Sequence, residues 1–349
     1  MTDSILITGG AGFIGCHTAA YFAARGYRIV LIDTLVRPGA ERNLDWLRTL
    51  HIPLTHYAVD VRDFNALATV VQQEGPFAAV IHLAAQVAVT TSVADPRTDF
   101  EINACGTFNM LECLRKFTPE SLFIYASTNK VYGELLTVPV KECAMRYTFH
   151  DQGGIGEQQP LDFHSPYGCS KGCGDQYVID FARIYGLRTV SFRQSCIYGE
   201  RQFGIEDQGW VAWFIIAGVL QLPVTVYGNG KQVRDLLYIQ DLTELYGTAL
   251  EHKDHLDGVA FNIGGGTDNA LSLLEFIDIL KGYGLHITCE FEPWRPGDQK
   301  IFISDNTKAS ALLGWKPRTS YHKGFAQLIR WVEDNREVLR EVLRQRRLC

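Results

Sequence analysis

One stretch, Thr8-Gly9-Gly10-Ala11-Gly12-Phe13-Ile14-Gly15, constrains the fold of this chain more than any other. Ile5–Thr8 before it reads as a strand, and Cys16–Arg25 after it reads as a helix. Glycines at 9, 12 and 15 suit a strand-to-helix turn that wraps a pyrophosphate. Gly9 allows the tight bend, Gly12 lets backbone approach the phosphates, and Gly15 lets the helix pack on the strand. The helix start, with Phe13 and Ile14, then offers its N–H groups to the anion. The next strand, Arg28–Asp33, ends on a carboxylate about 20 residues on, the spacing at which an acid takes ribose hydroxyls. That carboxylate repels a 2′-phosphate, so NAD is expected over NADP, with Arg37 the one opposing charge nearby. Asp60 and Val61, closing a third strand, either meet the adenine or form a plain strand-end turn.

The rest of the N-terminal half repeats the rhythm. Leu54–Asp60, Ala79–Leu83, Leu122–Ala126 and Thr189–Arg193 read as strands, and 64–74, 99–117 and 167–186 as helices. Near-continuous apolar strands alternating with helices predict an α/β fold: a Rossmann-type, doubly wound parallel sheet covered on both faces. Ligands then bind at the carboxyl ends of the strands. After about residue 194 the alternation weakens. Trp210–Gln221 reads as a helix, and Val224–Tyr227 and Ile287–Phe291 as strands. The expected division is a dinucleotide domain over 1–193, with 233–258 returning to it, and a smaller α/β substrate lobe from 194–232 and 259–349. Residues 134–164 are long, polar and aperiodic, which suggests a functional loop beside the site. Gly324–Arg344 is amphipathic at helical spacing.

Composition excludes several classes. The 349 residues carry 33 Lys+Arg against 39 Asp+Glu, a net charge of −6, so nothing favours nucleic-acid binding. Nine cysteines form no CxxC pair, which argues against a disulfide framework or a metal site. The longest apolar run, Val211 to Leu220, is about half a membrane span. No basic leader precedes the first strand. A soluble, cytoplasmic protein without a membrane partner is expected.

Tyr167 and Lys171 lie four apart, on one face of the predicted helix. An ammonium beside a phenol favours the phenolate. Such a tyrosine can take a hydroxyl proton while hydride leaves the same carbon. On its own YxxxK usually marks a surface pair. Ser127-Thr128, at the end of the Leu122–Ala126 strand, brings a hydroxyl to the same sheet edge and strengthens the catalytic reading.

GxxGxxG at 9–15, Thr128 before Val131-Tyr132-Gly133, and YxxxK at 167–171 together resemble the extended short-chain dehydrogenase/reductase family of nucleotide-sugar epimerases and dehydratases. Arg234-Asp235, Asn262-Ile263-Gly264 and Leu313-Gly314-Trp315-Lys316-Pro317 extend the resemblance over nearly the whole chain. It implies Thr128, Tyr167 and Lys171 as the catalytic set. It also implies Leu83, Ala84, Ala85 and Ile197 on the cofactor side, and Arg234 and Arg295 on a substrate diphosphate. Asn129, Gln194, Ser195, Arg201 and Asp298 fall to the substrate; for Asn129 and Lys130 surface roles are equally open. Dehydratases of the family carry Asp-Glu after the catalytic Thr, whereas this chain has Asn129-Lys130, so the resemblance implies an epimerase. The strings Ser127–Gly133, His164–Gly172, Phe192–Gly199, Glu206–Phe214 and Trp294–Gln299 resemble the branch that inverts C2 of a CDP-sugar with bound NAD. The rival readings are a UDP-hexose 4-epimerase and a non-catalytic NAD-sensing protein. A homodimer or homotetramer is implied by resemblance alone.

Overall fold

A computed structural model describes residues 3–205, 208–295 and 297–347. Glu206, Asp207 and Pro296, from the strings quoted above, and Cys349 lie outside the described residues. Seven parallel strands form the central sheet. In spatial order they are Val259–Ile263, Thr189–Gln194, Leu122–Thr128, Ala79–His82, Ser4–Thr8, Arg28–Ile32 and Leu54–Tyr57. The order reverses beside Ser4–Thr8, which is where the crossover helices change face and a crevice opens. Alternation along the strands feeds two cores. Ile5, Ile7, Leu31, Ile81 and Ile124 point into one, and Leu6, Val30, Val80 and Phe123 into the other, all fully buried.

The expected Rossmann sheet is therefore present, with one strand more than the sequence reading places in it. Val259–Ile263, assigned there to the second lobe, pairs in register with Thr189–Gln194. Conversely Val233–Tyr238, expected to return to the main domain, pairs with Ala270–Ser272, Ile301–Phe302 and Cys196–Tyr198 in the second lobe's sheet. Only the following helix, Ile239–Glu251, returns, packing on Phe13–Ala23. One tyrosine locks this edge: the Tyr132 hydroxyl accepts from Arg193 at 2.9 Å and donates to Asn262 Oδ1 at 2.7 Å. The V-Y-G turn is thus tied to both outer strands.

The predicted terminal helix is two helices, Tyr321–Asp334 and Arg336–Arg347, parted at Asn335, whose side chain donates back to the Trp331 carbonyl at 2.8 Å. Residues 134–164 include a short hairpin, Val140–Glu142 with Tyr147–Phe149. Ile155 is buried against Phe302 and Tyr147 against Val233 and Ile301, while Leu136 and Met145 stay exposed. Among the described residues, none of this stretch lines the crevice. None of the described helices is long and apolar enough to cross a membrane.

Candidate active site

A cleft of about 790 Å³ runs from the glycine-rich turn to the second lobe. At one end Gly9 holds φ +66°, and a Cβ there would lie 2.8 Å from the Ala84 nitrogen. A Cβ on Gly15 would meet the Gly9 carbonyl at 2.3 Å, so the helix can start only against bare backbone. Gly12 caps that helix with no side chain, which leaves its first N–H groups facing the cleft. The Asp33 carboxylate accepts from Ala11 N at 2.9 Å and Leu35 N at 2.8 Å, which fixes its orientation at the strand end. Asp60 pairs with Arg62 at 2.7 Å, and Val61 packs under Gly106. Leu83, Ala84, Ala85 and Ile197 complete this wall. A cradle that any Cβ would fill, a helix N-terminus and an oriented carboxylate together suit a dinucleotide.

His82 buttresses the cradle from behind. Thr8 Oγ1 accepts from Ala84 N at 3.2 Å, so its own proton goes to His82 Nδ1 at 2.7 Å. Nε2 then donates to Thr107 at 3.2 Å. Burial, with Lys171 adding repulsion, holds this imidazole neutral, its pKa pulled down to about 3.

The candidate catalytic residues Thr128, Tyr167 and Lys171 meet mid-cleft. Ser165, at φ +63°, accepts from Gly168 N at 3.2 Å and starts the helix Ser165–Tyr185, which projects Tyr167 and Lys171. Thr128 closes the Leu122–Thr128 strand; its hydroxyl donates to Asn129 Oδ1 at 3.3 Å and accepts from Lys130 N at 3.2 Å, and it favours the ionised form of the Tyr167 phenol. Burial pushes Tyr167 up to about 12 against the influence of the Thr128 hydroxyl, with the charge of Asp99 adding to the rise. Lys171 sits 4.2 Å over the Tyr125 ring, and burial pulls it down to about 7 against the charges of Asp175 and Asp99. The expectation that Lys171 makes Tyr167 acidic does not hold by itself. Burial foremost sets the Tyr167 pKa, and Lys171 is not among the groups that lower it.

The far end is cationic. Arg234 and Arg295 line it, Arg295 lying 4.5 Å over the Tyr227 ring and 3.3 Å from Asp298. Lys130 joins them, donating to the Gly297 carbonyl at 3.0 Å with Asp298 at 3.7 Å. Burial foremost, and then the two arginines, draw its pKa down to about 8. Lys130 is therefore a half-buried residue of the cleft wall. Three convergent cations around one carboxylate suit a doubly charged phosphate ligand.

Asn129 lines the cleft but is bound to Gln299, donating to Oε1 at 3.1 Å. Gln194 lines it too and donates to Tyr246 at 2.7 Å. Ser195 is committed to Asp235 at 2.5 Å, which positions the strand bearing Arg234. Arg201 lies apart from the other arginines, 3.8 Å over Trp46 on the helix Ala40–Thr49. Sequence reasoning missed Gln299, fully buried, and the aromatic lining by Trp210, Phe214 and Tyr227. For Gln299 the only signal was its place beside Asp298. Among the described residues no group of three His, Cys, Asp or Glu could hold a metal.

Residues 6–328 match the family model described as GDP-mannose 4,6 dehydratase. The chain is 44% identical over 336 residues to the CDP-paratose 2-epimerase of Salmonella typhi, covering 94% of this chain and 98% of that one. Among solved structures, the UDP-glucose 4-epimerase of Thermus thermophilus, in complex with NAD, superposes with a TM-score of 0.80 at 31% identity. It covers 94% of this chain and 98% of its own. The UDP-glucuronic acid 4-epimerase of Bacillus cereus, with UDP-glucuronic acid and NAD, superposes at 0.81 with 28% identity, covering 95% and 99%. On the extent of the model match and the identity of these relatives, the chain belongs to the GDP-mannose 4,6 dehydratase family, among the NAD-dependent nucleotide-sugar epimerases and dehydratases.

Proposed function

We propose that this protein inverts C2 of a CDP-activated hexose, converting CDP-paratose to CDP-tyvelose and interconverting CDP-glucose and CDP-mannose, with NAD retained through the cycle. The observation that carries the reading is one continuous cleft. It is lined by the Gly9–Gly15 turn, by Thr128, Tyr167 and Lys171, and by Arg234 and Arg295. The similarity to the Salmonella typhi 2-epimerase supplies the ring position and the nucleotide. Bound in the cradle, oxidised NAD supplies reversible hydride acceptance and a positive charge that favours the tyrosinate form of Tyr167.

Tyr167 removes the C2 hydroxyl proton, and the Thr128 hydroxyl holds the same oxygen. Lys171 binds the nicotinamide ribose and supports the tyrosinate. The transient 2-keto sugar turns within the cleft while Arg234, Arg295 and Lys130 keep the diphosphate, and Tyr167 returns the proton. Asn129 and Lys130 stand where dehydratases of the family place Asp-Glu. One is bound to Gln299 and the other to Gly297, so neither supplies the acid and base that water elimination requires.

The test is incubation with CDP-, UDP- and GDP-hexoses, with NMR identification of the inverted carbon. C2 inversion of a CDP-hexose supports the reading. C4 inversion of a UDP-hexose replaces it, and an absence of turnover returns the NAD-sensing alternative.

The same reading includes a cytoplasmic homodimer or homotetramer. Its support is an exposed apolar strip on two neighbouring helices: Phe108 is 39%, Tyr177 42%, Tyr185 51% and Ile184 61% accessible. Light scattering checks the assembly.

A further inference from the structure

Asp99 is a fully buried carboxylate at the end of the short helix Pro96–Phe100, and it does not line the cleft. A charge in such a place needs partners. Ser170 Oγ donates to it at 2.5 Å, Gln86 Nε2 at 3.0 Å and Asn103 Nδ2 at 3.1 Å. Asn103 belongs to a π-helical turn, Glu101–Cys105. Its amide also donates to the Gln86 carbonyl at 2.9 Å and to Ser170 Oγ at 3.1 Å, while its Oδ1 accepts from Gln86 N at 2.9 Å. Π-turns are rare and concentrate where a side chain must be aimed. This one joins the 84–88 wall of the cradle to the turn of helix between Tyr167 and Lys171.

The charges around this network are few. Lys171 feels Asp99 and Asp175, with the Tyr125 ring beneath it and neutral His82 nearby. Asp175 is already matched by Arg193 at 2.8 Å. Tyr167 feels Asp99 and the Thr128 hydroxyl, and its backbone N–H donates to Ser92 Oγ at 3.2 Å. Lys171 is the cation that acts on Asp99.

We propose that Asp99 is a positioning residue for the Tyr167–Lys171 pair. Its bonds to Ser170 fix the helix turn from which both side chains project, and its buried charge adds to that of Asp175 in favouring the ammonium form of Lys171. The proposal rests on the reading of Tyr167 and Lys171 as catalytic. Without the anion a buried lysine gives up its proton more readily, and a nearby phenol does so too, because a negative neighbour raises both pKa values.

The test is the pH profile of kcat for the NAD-bound enzyme turning over a CDP-hexose. The two limbs together report loss of the Tyr167 and Lys171 protons. In Asp99→Asn both limbs should move to lower pH, by about one unit. A residue that merely packs would lower kcat at every pH and leave the limbs in place. Asp99→Glu and Ser170→Ala keep the charge, so their limbs should stay while kcat falls, and they carry the test should the amide variant fail to fold. Unmoved limbs in Asp99→Asn, or displaced limbs in either charge-keeping variant, would overturn the proposal. Tyr167→Phe separates the two levels. An active Phe variant sinks the catalytic reading itself. An inactive one beside an unmoved Asp99→Asn profile sinks only the role of Asp99.

Discussion

The side-chain amide of Gln299 donates to the Gly133 carbonyl at 2.6 Å, fastening the loop that carries Arg295 and Asp298 to the turn that follows Thr128. A second, longer bond reaches the Asn129 carbonyl at 3.4 Å, and Oε1 accepts from Asn129. The Arg295 loop and the turn after Thr128 thereby share one rigid seam, whose partners Asn129 and Gln299 lie 170 residues apart in sequence. Gln299→Leu leaves a buried carbonyl and the Asn129 amide without partners, at a cost of about 1–3 kcal/mol. The expected outcome is a fall of about tenfold in kcat/KM, mostly through KM, with NAD affinity unchanged. Steady-state kinetics with calorimetry of NAD binding check it, and weakened NAD binding would count against the seam.

The oriented Asp33 carboxylate predicts a preference for NAD over NADP. Its two oxygens are oriented by Ala11 and Leu35, and Arg37, which would suit a 2′-phosphate, donates instead to Gln208. NAD should bind at least tenfold more tightly than NADP, roughly the 1.4 kcal/mol of one modest charge repulsion. Asp33→Ser should weaken NAD and narrow that ratio. Calorimetry showing NADP the tighter ligand of the unaltered protein would contradict this.

Burial of the site's titrating groups makes stability depend on pH with a definite sign. Lys171 is drawn down to about 7 and Lys130 to about 8, both by burial first. Between those values and about 10.4, the ordinary lysine value, the unfolded chain holds more protons than the folded one, so stability rises with pH. Tyr167, raised to about 12 by burial, acts oppositely: its contribution is present below about 10 and is lost as pH climbs towards 12. Urea unfolding of the cofactor-free protein from about pH 7 to 9.5 should show each of Lys171→Met and Lys130→Met flattening the upward slope. Variants with unchanged slopes would refute the assigned cause.

The dinucleotide turn was legible because its information is local. Gly9, Gly12, Gly15 and Asp33 act through backbone geometry within a few residues, and the structure gives steric reasons for Gly9 and Gly15. The first six strands of the sheet were legible for a similar reason: short apolar runs have few other solutions in a soluble chain. The helix Ala40–Thr49 went unread because it presents mainly polar residues, with only Ala40, Asn43, Leu44 and Leu47 turned inward. Val259–Ile263 joins the sheet through a pairing with Thr189–Gln194 that no local pattern announces. Lys130, Gln299 and Asp99 stayed obscure because a buried or half-buried polar residue looks like a surface one until its distant partner is known. Residues 134–164 misled in the reverse sense: polar and aperiodic, they send Ile155 and Tyr147 onto Phe302, Val233 and Ile301, and none of them borders the cleft.

The central claim is that hydride leaves C2 and returns to C2 on the opposite face without escaping the cleft. A CDP-hexose carrying deuterium at C2, incubated with the enzyme in ordinary water, tests it most directly. The expected product is the C2 epimer with deuterium still at C2 and no solvent hydrogen gained. Label lost to solvent, or a C4 epimer whose labelled C2 is untouched, would contradict the claim.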